Sequence, residues 1–594
     1  MKKMLETKRL TAITEYNRLR GALLIFTFAL LLFSSCKKEN LDYKVDYREF
    51  TEAIEPSMVR LVNIGRNRNL EVNGDSLTNF RWPPANPEAP DEERTQVLPT
   101  KYFPSTGQLG LTWTVPNEFF TPEHATEITF YSGPTLNRMH HTFPIHEDGS
   151  QPTDYYLLKI EREMHEGPEV IEVPRDVTAP SRPDHFKIRL LNFAQTFDNY
   201  LVTAENLMAP MTLAYADGTP VSPETTNVPI GQWSEYVEVP YGTYQFKVLT
   251  QDQRQVPMAT TSPTIHVTTS AIPDMTQRDP NDARSPASTG LVYAELQTFQ
   301  PGGIYSIAVH PYTMKYNAPG AGNAFTVTDI IQNAFQVITD LSAPLNNSYV
   351  RVQLVNATLN SSPLRLELSQ ERTTEAVPSE RYSDYVISLV GSRMLQVKDP
   401  SGNVVIHQEA QLQAGKNYSL WVYTGENQEL QSLLVSNNLA SSEMLGNSDS
   451  NGNYGDPFRR YYPFPFTYRF LNLLTGFEEV TLTNQLGIPY GRPASHLLQG
   501  VAKDDNPYYF NIGSDQYREQ WFMLYQSSPT ELPGRWISEV TGLSTKAMIA
   551  DETLYTRANR NVPNAEPGVY TVAAIGTFND GQKNAKIMYV KHTK

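Results

Sequence analysis

The sequence predicts an all-β fold built from tandem sandwich domains. Three observations carry this reading. The chain holds 33 Tyr, 25 Phe and 43 Pro, a composition that favours strands and turns over long helices. Short runs of alternating apolar and polar residues recur between turn signals such as Asp217-Gly218 and Ser401-Gly402-Asn403. One four-residue pattern returns at intervals of 129, 164 and 116 residues, which are domain-sized and too long for a solenoid.

Length and composition set the frame. At roughly 100–200 residues per domain, 594 residues make three to five domains. Hydrophobic residues are 40% and charged residues 19%, as in a globular chain. Residues 1–35 carry six Lys/Arg and two Glu, so their removal takes the formal net charge from -15 to -19. An acidic surface repels phosphate backbones, and nucleic acid is therefore not expected as a partner. The single cysteine, Cys36, excludes an intramolecular disulfide and a cysteine zinc site.

The amino-terminal segment explains that cysteine. Gly21 to Phe33 is an unbroken apolar run behind a basic stretch. It is short for a bilayer span and has the length of a signal-peptide core. Ser34 and Ser35 follow, then Cys36. This small-small-Cys ending resembles the lipobox of bacterial lipoproteins, although Phe33 stands where Leu or Val is usual. The resemblance implies cleavage before Cys36 and attachment of diacylglycerol to its sulfur. Lys37, in place of Asp, implies the outer membrane. Polar residues up to Pro56 read as a tether.

The recurrent pattern is Arg60-Leu61-Val62-Asn63, Arg189-Leu190-Leu191-Asn192, Gln353-Leu354-Val355-Asn356 and Arg469-Phe470-Leu471-Asn472. The flanks alternate, as in Val350-Arg351-Val352-Gln353-Leu354, so each copy is predicted to be a strand with one face on a core and the other in water. The terminal Asn is expected to start a turn. A second pattern closes three units: Gly302-Gly303-Ile304-Tyr305, Gly415-Lys416-Asn417-Tyr418 and Gly568-Val569-Tyr570. A related Gly242-Thr243-Tyr244 sits mid-unit. Thr328 to Phe335 and Ser544 to Leu554 read as short helices.

These segments resemble the bacterial domain of unknown function 4397 family. The best match is Val350 to Thr424, then Phe186 to Pro311; the unit from Tyr468 shares its two ends, and the unit from Val59 only its opening strand. The resemblance covers about half of the mature chain. It implies small immunoglobulin-like sandwiches in secreted or surface proteins, with no catalytic residues to carry over.

The expected organisation is a lipoprotein signal peptide (1–35), a tether (36–56) and four β-domains (57–180, 184–315, 346–436 and 466–594). The first is the divergent repeat. Boundaries are placed at Pro174 to Pro183, at Ala318 to Asn323 with the following stretch to Leu345, and at Asn437 to Pro465.

Candidate chemistry is sparse. His140, His141 and His146 share a loop with Glu147 and Asp148, which is metal-ligand chemistry. Adjacent residues on a strand face opposite ways, so a hairpin with surface histidines is expected. Asn447 to Gly452 has the start of a calcium loop, but Phe458 stands where a bidentate acid is required. Gly320-Ala321-Gly322 has no third glycine. Acidic pairs such as Asp91-Glu92-Glu93 and Asp504-Asp505 read as solvated faces. Phe458 to Phe466 is rich in rings and prolines and is expected to staple a linker to its neighbour. The six tryptophans, Trp82, Trp113, Trp233, Trp421, Trp521 and Trp536, are scattered as core residues would be.

No nucleophile elbow, phosphate loop or His-Glu-x-x-His motif occurs. The expectation is a non-enzymatic lipoprotein without cofactor, anchored through Cys36 and displaying sandwiches to a protein or glycan ligand. The alternative is a glycan-binding accessory protein or polysaccharide-degrading enzyme of a carbohydrate-uptake system. It predicts paired carboxylates across a cleft, or a row of exposed rings along one sheet.

Overall fold

Each copy of the four-residue pattern begins a sheet in the same way. Strands Pro56–Val62, His185–Asn192, Tyr349–Asn356 and Phe466–Thr475 open four successive units. Each opening strand pairs in parallel with a closing strand: Thr153–Leu157, Ile304–Pro319, Asn417–Thr424 and Gly568–Asn579. Each closing strand pairs antiparallel with a last strand: Val170–Pro174, Phe325–Leu341, Leu430–Asn437 and Gln582–Lys591. Parallel neighbours need a long crossover. Here the crossover is itself a second, outer sheet, led by Leu70–Val72, Met211–Ala214, Arg365–Leu368 and Glu479–Thr483. The fold class is therefore all-β, with sheets stacked as sandwiches.

This is a computed structural model. It describes residues 54–594 apart from 66, 68, 79–98, 121–125, 133–138, 159–164, 198–206, 260–296, 320–324, 370–371, 438, 440–465, 503–518, 556–565, 567 and 580–581. Among the described residues no helix is long and apolar enough to cross a membrane.

Period-two alternation fills the cores. Val59 and Leu61 face Leu70, Val72, Ile128 and Phe130 of the first outer sheet. Phe186, Ile188 and Leu190 do the same against Met211, Leu213 and Val248. Val350, Val352 and Leu354 meet Leu366, Leu395 and Val397. Tyr468 and Phe470 meet Val480, Leu482, Phe522 and Leu524. Full burial of each such side chain is worth roughly 1.5–3 kcal/mol over exposure.

The other face of the opening strands is not in water, which corrects the expectation from alternation. Val62, Tyr156 and Val173 of the first unit pack on Leu191, Phe193, Ala308 and Ile338 of the second. Val355, Trp421 and Val435 of the third pack on Leu471, Ala573, Ile575 and Val590 of the fourth. The sandwiches thus stand back to back in two pairs. The second unit also touches the fourth, because Ala214 and Leu249 of its outer sheet join the fourth unit's core. That explains why Met211–Ala214 and Lys247–Thr250 are buried at every residue.

The asparagine that ends the pattern bonds its own downstream backbone, as expected of a turn former: its Oδ1 accepts from the backbone N–H of Asn67, Ala194, Thr358 and Leu474 in the four units. In the second, third and fourth units it is also a buried tie between the two sheets of its own unit. Asn192 Nδ2 donates to the carbonyls of Ala209 and Val228, and Val228 bridges to Met211 of the outer sheet. Asn356 Nδ2 donates to Val377 O, and Asn472 Nδ2 to Leu497 O. Asn63 donates to Gly110 O and Asn67 O. A side-chain amide offers donor and acceptor together, so one residue satisfies backbone groups that a sandwich interior otherwise strands.

Two further expectations are corrected. Thr328 to Phe335 is not helix but the interior of strand Phe325–Leu341, which pairs antiparallel with Ile304–Pro319, with a bulge at Asp340. Its Thr326, Val327, Thr328, Ile330 and Ile331 are β-branched and suit a strand. The boundary placed at 318–345 is therefore the second half of a long hairpin. Ser544 to Leu554 does hold short helix, as two 3-10 helices, Thr545–Met548 and Glu552–Tyr555. The predicted turns at Gly218 and Gly402 are present, each glycine with positive φ. At Gly218 a side chain would also strike Leu554 of the fourth unit, so this turn serves the contact between units as well.

Replacing Asn192 by Ala is expected to lower stability by roughly 1–3 kcal/mol, since Ala209 O and Val228 O lose a buried donor. The exposed Asn347→Ala change is expected to stay within about 0.5 kcal/mol. Hydrogen exchange of the second unit compares the two.

Candidate functional site

The densest polar chemistry in the described residues lies in the seams between back-to-back sandwiches. Its first members are the leading residues of the four-residue pattern. Arg60, Arg189, Gln353 and Arg469 are 6%, 2%, 1% and 4% exposed. Parallel register sets each beside a polar partner on the closing strand: Asp154, Ser306, Ser419 and Thr571.

In the first seam Arg60 grips Asp154 with two bonds of 2.9 and 2.6 Å. It also reaches across to the second unit's last strand, donating to Thr339 O at 2.6 Å and Asp340 Oδ1 at 2.7 Å. Asp340 Oδ2 accepts from Ser306 at 2.5 Å and Tyr236 at 2.9 Å. Arg189 returns the gesture: its Nε meets Ser306, and its Nη1 donates to Pro174 O of the first unit's last strand. Its guanidinium lies 4.3 Å from the centre of the Tyr236 ring. Arg175 adds a third cation, 2.9 Å from Asp154.

Burial opposes the charge on Arg60, yet Asp154 and Asp340 outweigh it and hold the guanidinium above its usual pKa. Burial pushes the Asp154 carboxyl up, against the pull of Arg60. Tyr156 Oη and Arg189 Nη2 are buried without a hydrogen-bond partner among the described residues, and Arg175 Nε has only its ion pair with Asp154.

The second seam repeats the plan with fewer charges. Arg469 reaches across to the third unit's last strand, donating to Ser436 O at 2.6 Å and to Asn437 Oδ1. Asn437 donates to Ser419 and Tyr385. Gln353 replaces the arginine and donates to Ser419 at 2.7 Å and to His592 Nδ1 at 2.9 Å. His592 Nε2 bonds Thr571 at 2.7 Å. Tyr236 and Tyr385 hold equivalent places, each after a serine (Ser234, Ser383) that caps the opening strand's backbone.

A third buried cluster ties the second unit to the fourth. Lys247 Nζ lies 3.4 Å from Glu566, and Lys591 Nζ 3.3 Å from the same oxygen. Burial lowers the Lys247 ammonium to about 8. Burial also acts to raise Glu566, but Lys591 and Lys247 together hold it below the usual carboxylate range.

The predicted site residues are not brought together. Cys36, Asn447 to Gly452, Phe458 to Pro465, Gly320 to Gly322, Asp91 to Glu93, Asp504-Asp505 and Trp82 lie outside the described residues. His140 and His141 do face opposite ways. His140 is exposed against Tyr131, while His141 is buried and 2.6 Å from Glu169. The expected pair of surface histidines is thus half right, because the inward one has a carboxylate to pair with. His146 takes no part beyond its backbone, which donates to Tyr155 Oη. No group of three metal-ligating residues occurs among the described residues.

The tryptophans are not uniformly core. Trp421 is fully buried, but in the seam, and Trp536 is 49% exposed. Trp536 pairs across the outer sheet of the fourth unit with Tyr525. Leu486 and Ile488, in a nearby turn, are 76% and 56% exposed, and Gly487 of that turn sits against the Tyr525 hydroxyl.

Sequence reasoning missed the seams. The signal was present: each pattern carries two successive apolar residues, such as Leu190-Leu191, and a strand that is apolar on both faces is buried on both.

No protein-family model matches the chain, and no curated protein matches it either.

Arg60→Met is expected to weaken the first seam by about 3–5 kcal/mol, because it strips the buried Asp154 and Asp340 of their shared cation. Tyr156→Phe is expected to leave the seam unchanged or slightly firmer, since the lost hydroxyl has no partner. Exchange protection of peptides from 153–157 and 304–309 reads both.

Proposed function

We propose that the chain is a non-enzymatic lipoprotein of the cell envelope, anchored through lipid on Cys36, that holds paired sandwiches as a rigid platform for a protein or glycan ligand. One observation carries the reading. The buried ionic groups at the centre of the seams are spent on fixing one sandwich to the next, as at Arg60–Asp340 and Arg469–Asn437. An enzyme instead leaves such groups facing a substrate cleft. Asp154 and Asp340 share one guanidinium, but both side chains are fully buried and no substrate reaches them. The sandwiches are of the kind that the domain of unknown function 4397 family implies, and membership in it is part of the proposal. The apolar run, Ser34-Ser35-Cys36 and Lys37 support an outer-membrane anchor.

Trp536 beside Tyr525 favours a second reading, a glycan-binding accessory protein of a carbohydrate-uptake system. A half-exposed indole next to a phenol on one sheet face is a surface on which a sugar ring stacks.

Metabolic labelling with a palmitate analogue separates anchor from ordinary secretion. Wild type is expected to take label and Cys36→Ala to take none; equal labelling overturns the anchor. On a glycan array the second reading expects signals that fall at least tenfold in Trp536→Ala. Uniform silence removes that reading.

A further inference from the structure

We propose that the back-to-back contact of the third and fourth sandwiches is an acid-sensitive joint, with His592 as its proton acceptor, while the contact of the first and second is not.

The inference starts from the difference between two otherwise matching seams. In the first, the cross-seam bond of Arg189 ends on a backbone carbonyl, Pro174 O. In the second, the equivalent bond from Gln353 ends on an imidazole nitrogen, His592 Nδ1. A carbonyl does not titrate near neutral pH; an imidazole does.

The network fixes the tautomer. Asn437 Nδ2 donates to Tyr385 Oη, which leaves the phenol proton for His592 Nδ1 at 3.3 Å. Gln353 Nε2 points at the same nitrogen. Nδ1 is therefore an acceptor, and Nε2–H donates to Thr571 Oγ1. Protonation puts the ring's second N–H at Nδ1, a nitrogen already met by two donors. It also places a cation beside Arg469, which bonds the same Thr571 hydroxyl at 3.2 Å.

Among the described residues, the ring's hydrogen-bond partners supply no counter-charge. Arg469 comes from the fourth unit's opening strand and Arg351, stacked on Tyr385, from the third unit's. Thr571, Ser419, Asn437 and Gln353 are neutral. On the histidine's own segment Lys591 is paired with Glu566, and Lys594 with Asp384. Among the described residues no carboxylate bonds the ring. Burial first, and Arg469 second, hold the imidazole well below its ordinary pKa.

The sign follows. A histidine that is neutral in the closed seam and free to protonate in the open one binds more protons when open. Stability of the joint is complete above the ordinary imidazole pKa near 6.5 and is lost as pH falls below it. The first seam lacks this acceptor, and its Asp154, raised by burial, takes up protons more readily when closed.

Hydrogen–deuterium exchange on the full chain tests the joint, with rates corrected for intrinsic pH dependence. Between pH 7 and pH 5 the opening of peptides 417–424, 466–475 and 582–594 is expected to rise by up to about tenfold per pH unit below 6.5. Peptides 153–157 and 304–309 are expected to hold. His592→Asn, which keeps an acceptor near the Nδ1 position, is expected to flatten the response. Nitrogen chemical shifts of wild-type His592 give a check that needs no variant, with a neutral Nε2–H ring expected down to pH 5. Equal acid response in both seams overturns the proposal. So does a response that survives in folded His592→Asn, or a ring that titrates near 6.5 in the closed protein.

Discussion

The arrangement of this protein depends on one contact: a polar side chain in the middle of a buried strand that finds its partners in the facing sandwich. Arg60, Arg189 and Arg469 each send a guanidinium nitrogen to a carbonyl of the opposite last strand, at Thr339, Pro174 and Ser436. Gln353 sends its amide to His592 instead. A buried guanidinium without partners costs far more than a seam of apolar contacts returns, so each of these residues dictates where its neighbour sits. Apolar packing alone is non-directional and tolerates sliding. The arginine fork has a fixed geometry and does not.

The two seams are variations on one plan. Each joins the outer faces of two opening–closing sheets, and each centres on a polar residue of the last strand, Asp340 or Asn437, that gathers donors from both units. The first seam is ionic and the second mostly neutral. The second unit meets the first unit on its inner sheet and the fourth on its outer one. Lys247, Glu566 and Lys591 close that last contact with charge where Ala214 and Leu249 supply apolar area. The carboxyl-terminal residues add to it, since Gln245 N donates to Lys594 O and Lys594 pairs with Asp384 of the third unit.

Much of the fold was legible in the sequence. The repeats marked the opening strands, the Gly-x-Tyr segments marked closing strands, and Asp217-Gly218 and Ser401-Gly402-Asn403 marked turns. The first unit, which lacks a Gly-x-Tyr segment, nevertheless places Thr153–Leu157 in the closing position. What escaped was everything set by association between units. Alternation reports that a residue is turned from its own core; it does not report whether water or another sheet lies beyond. Arg189 reads as solvated by its charge and is buried. The tying role of the terminal asparagine was invisible for a different reason: its partners at Val228, Val377 and Leu497 lie in the same unit but far along the chain. Thr328 to Phe335 read as helix because a long hairpin partner is a non-local fact. Of the candidate site, the histidine hairpin was placed correctly in part, and the seams not at all.

The proposed platform needs its sandwiches fixed to one another, and the seams are where this chain fixes them. A double-mutant cycle on Arg60 and Asp340 tests that claim most directly, since these residues belong to different sandwiches and meet at 2.7 Å. With Arg60→Met, Asp340→Leu and the double variant, the account predicts a coupling of at least about 1.5 kcal/mol in the opening of the first seam. A coupling indistinguishable from zero would mean that the sandwiches are held by something other than this contact.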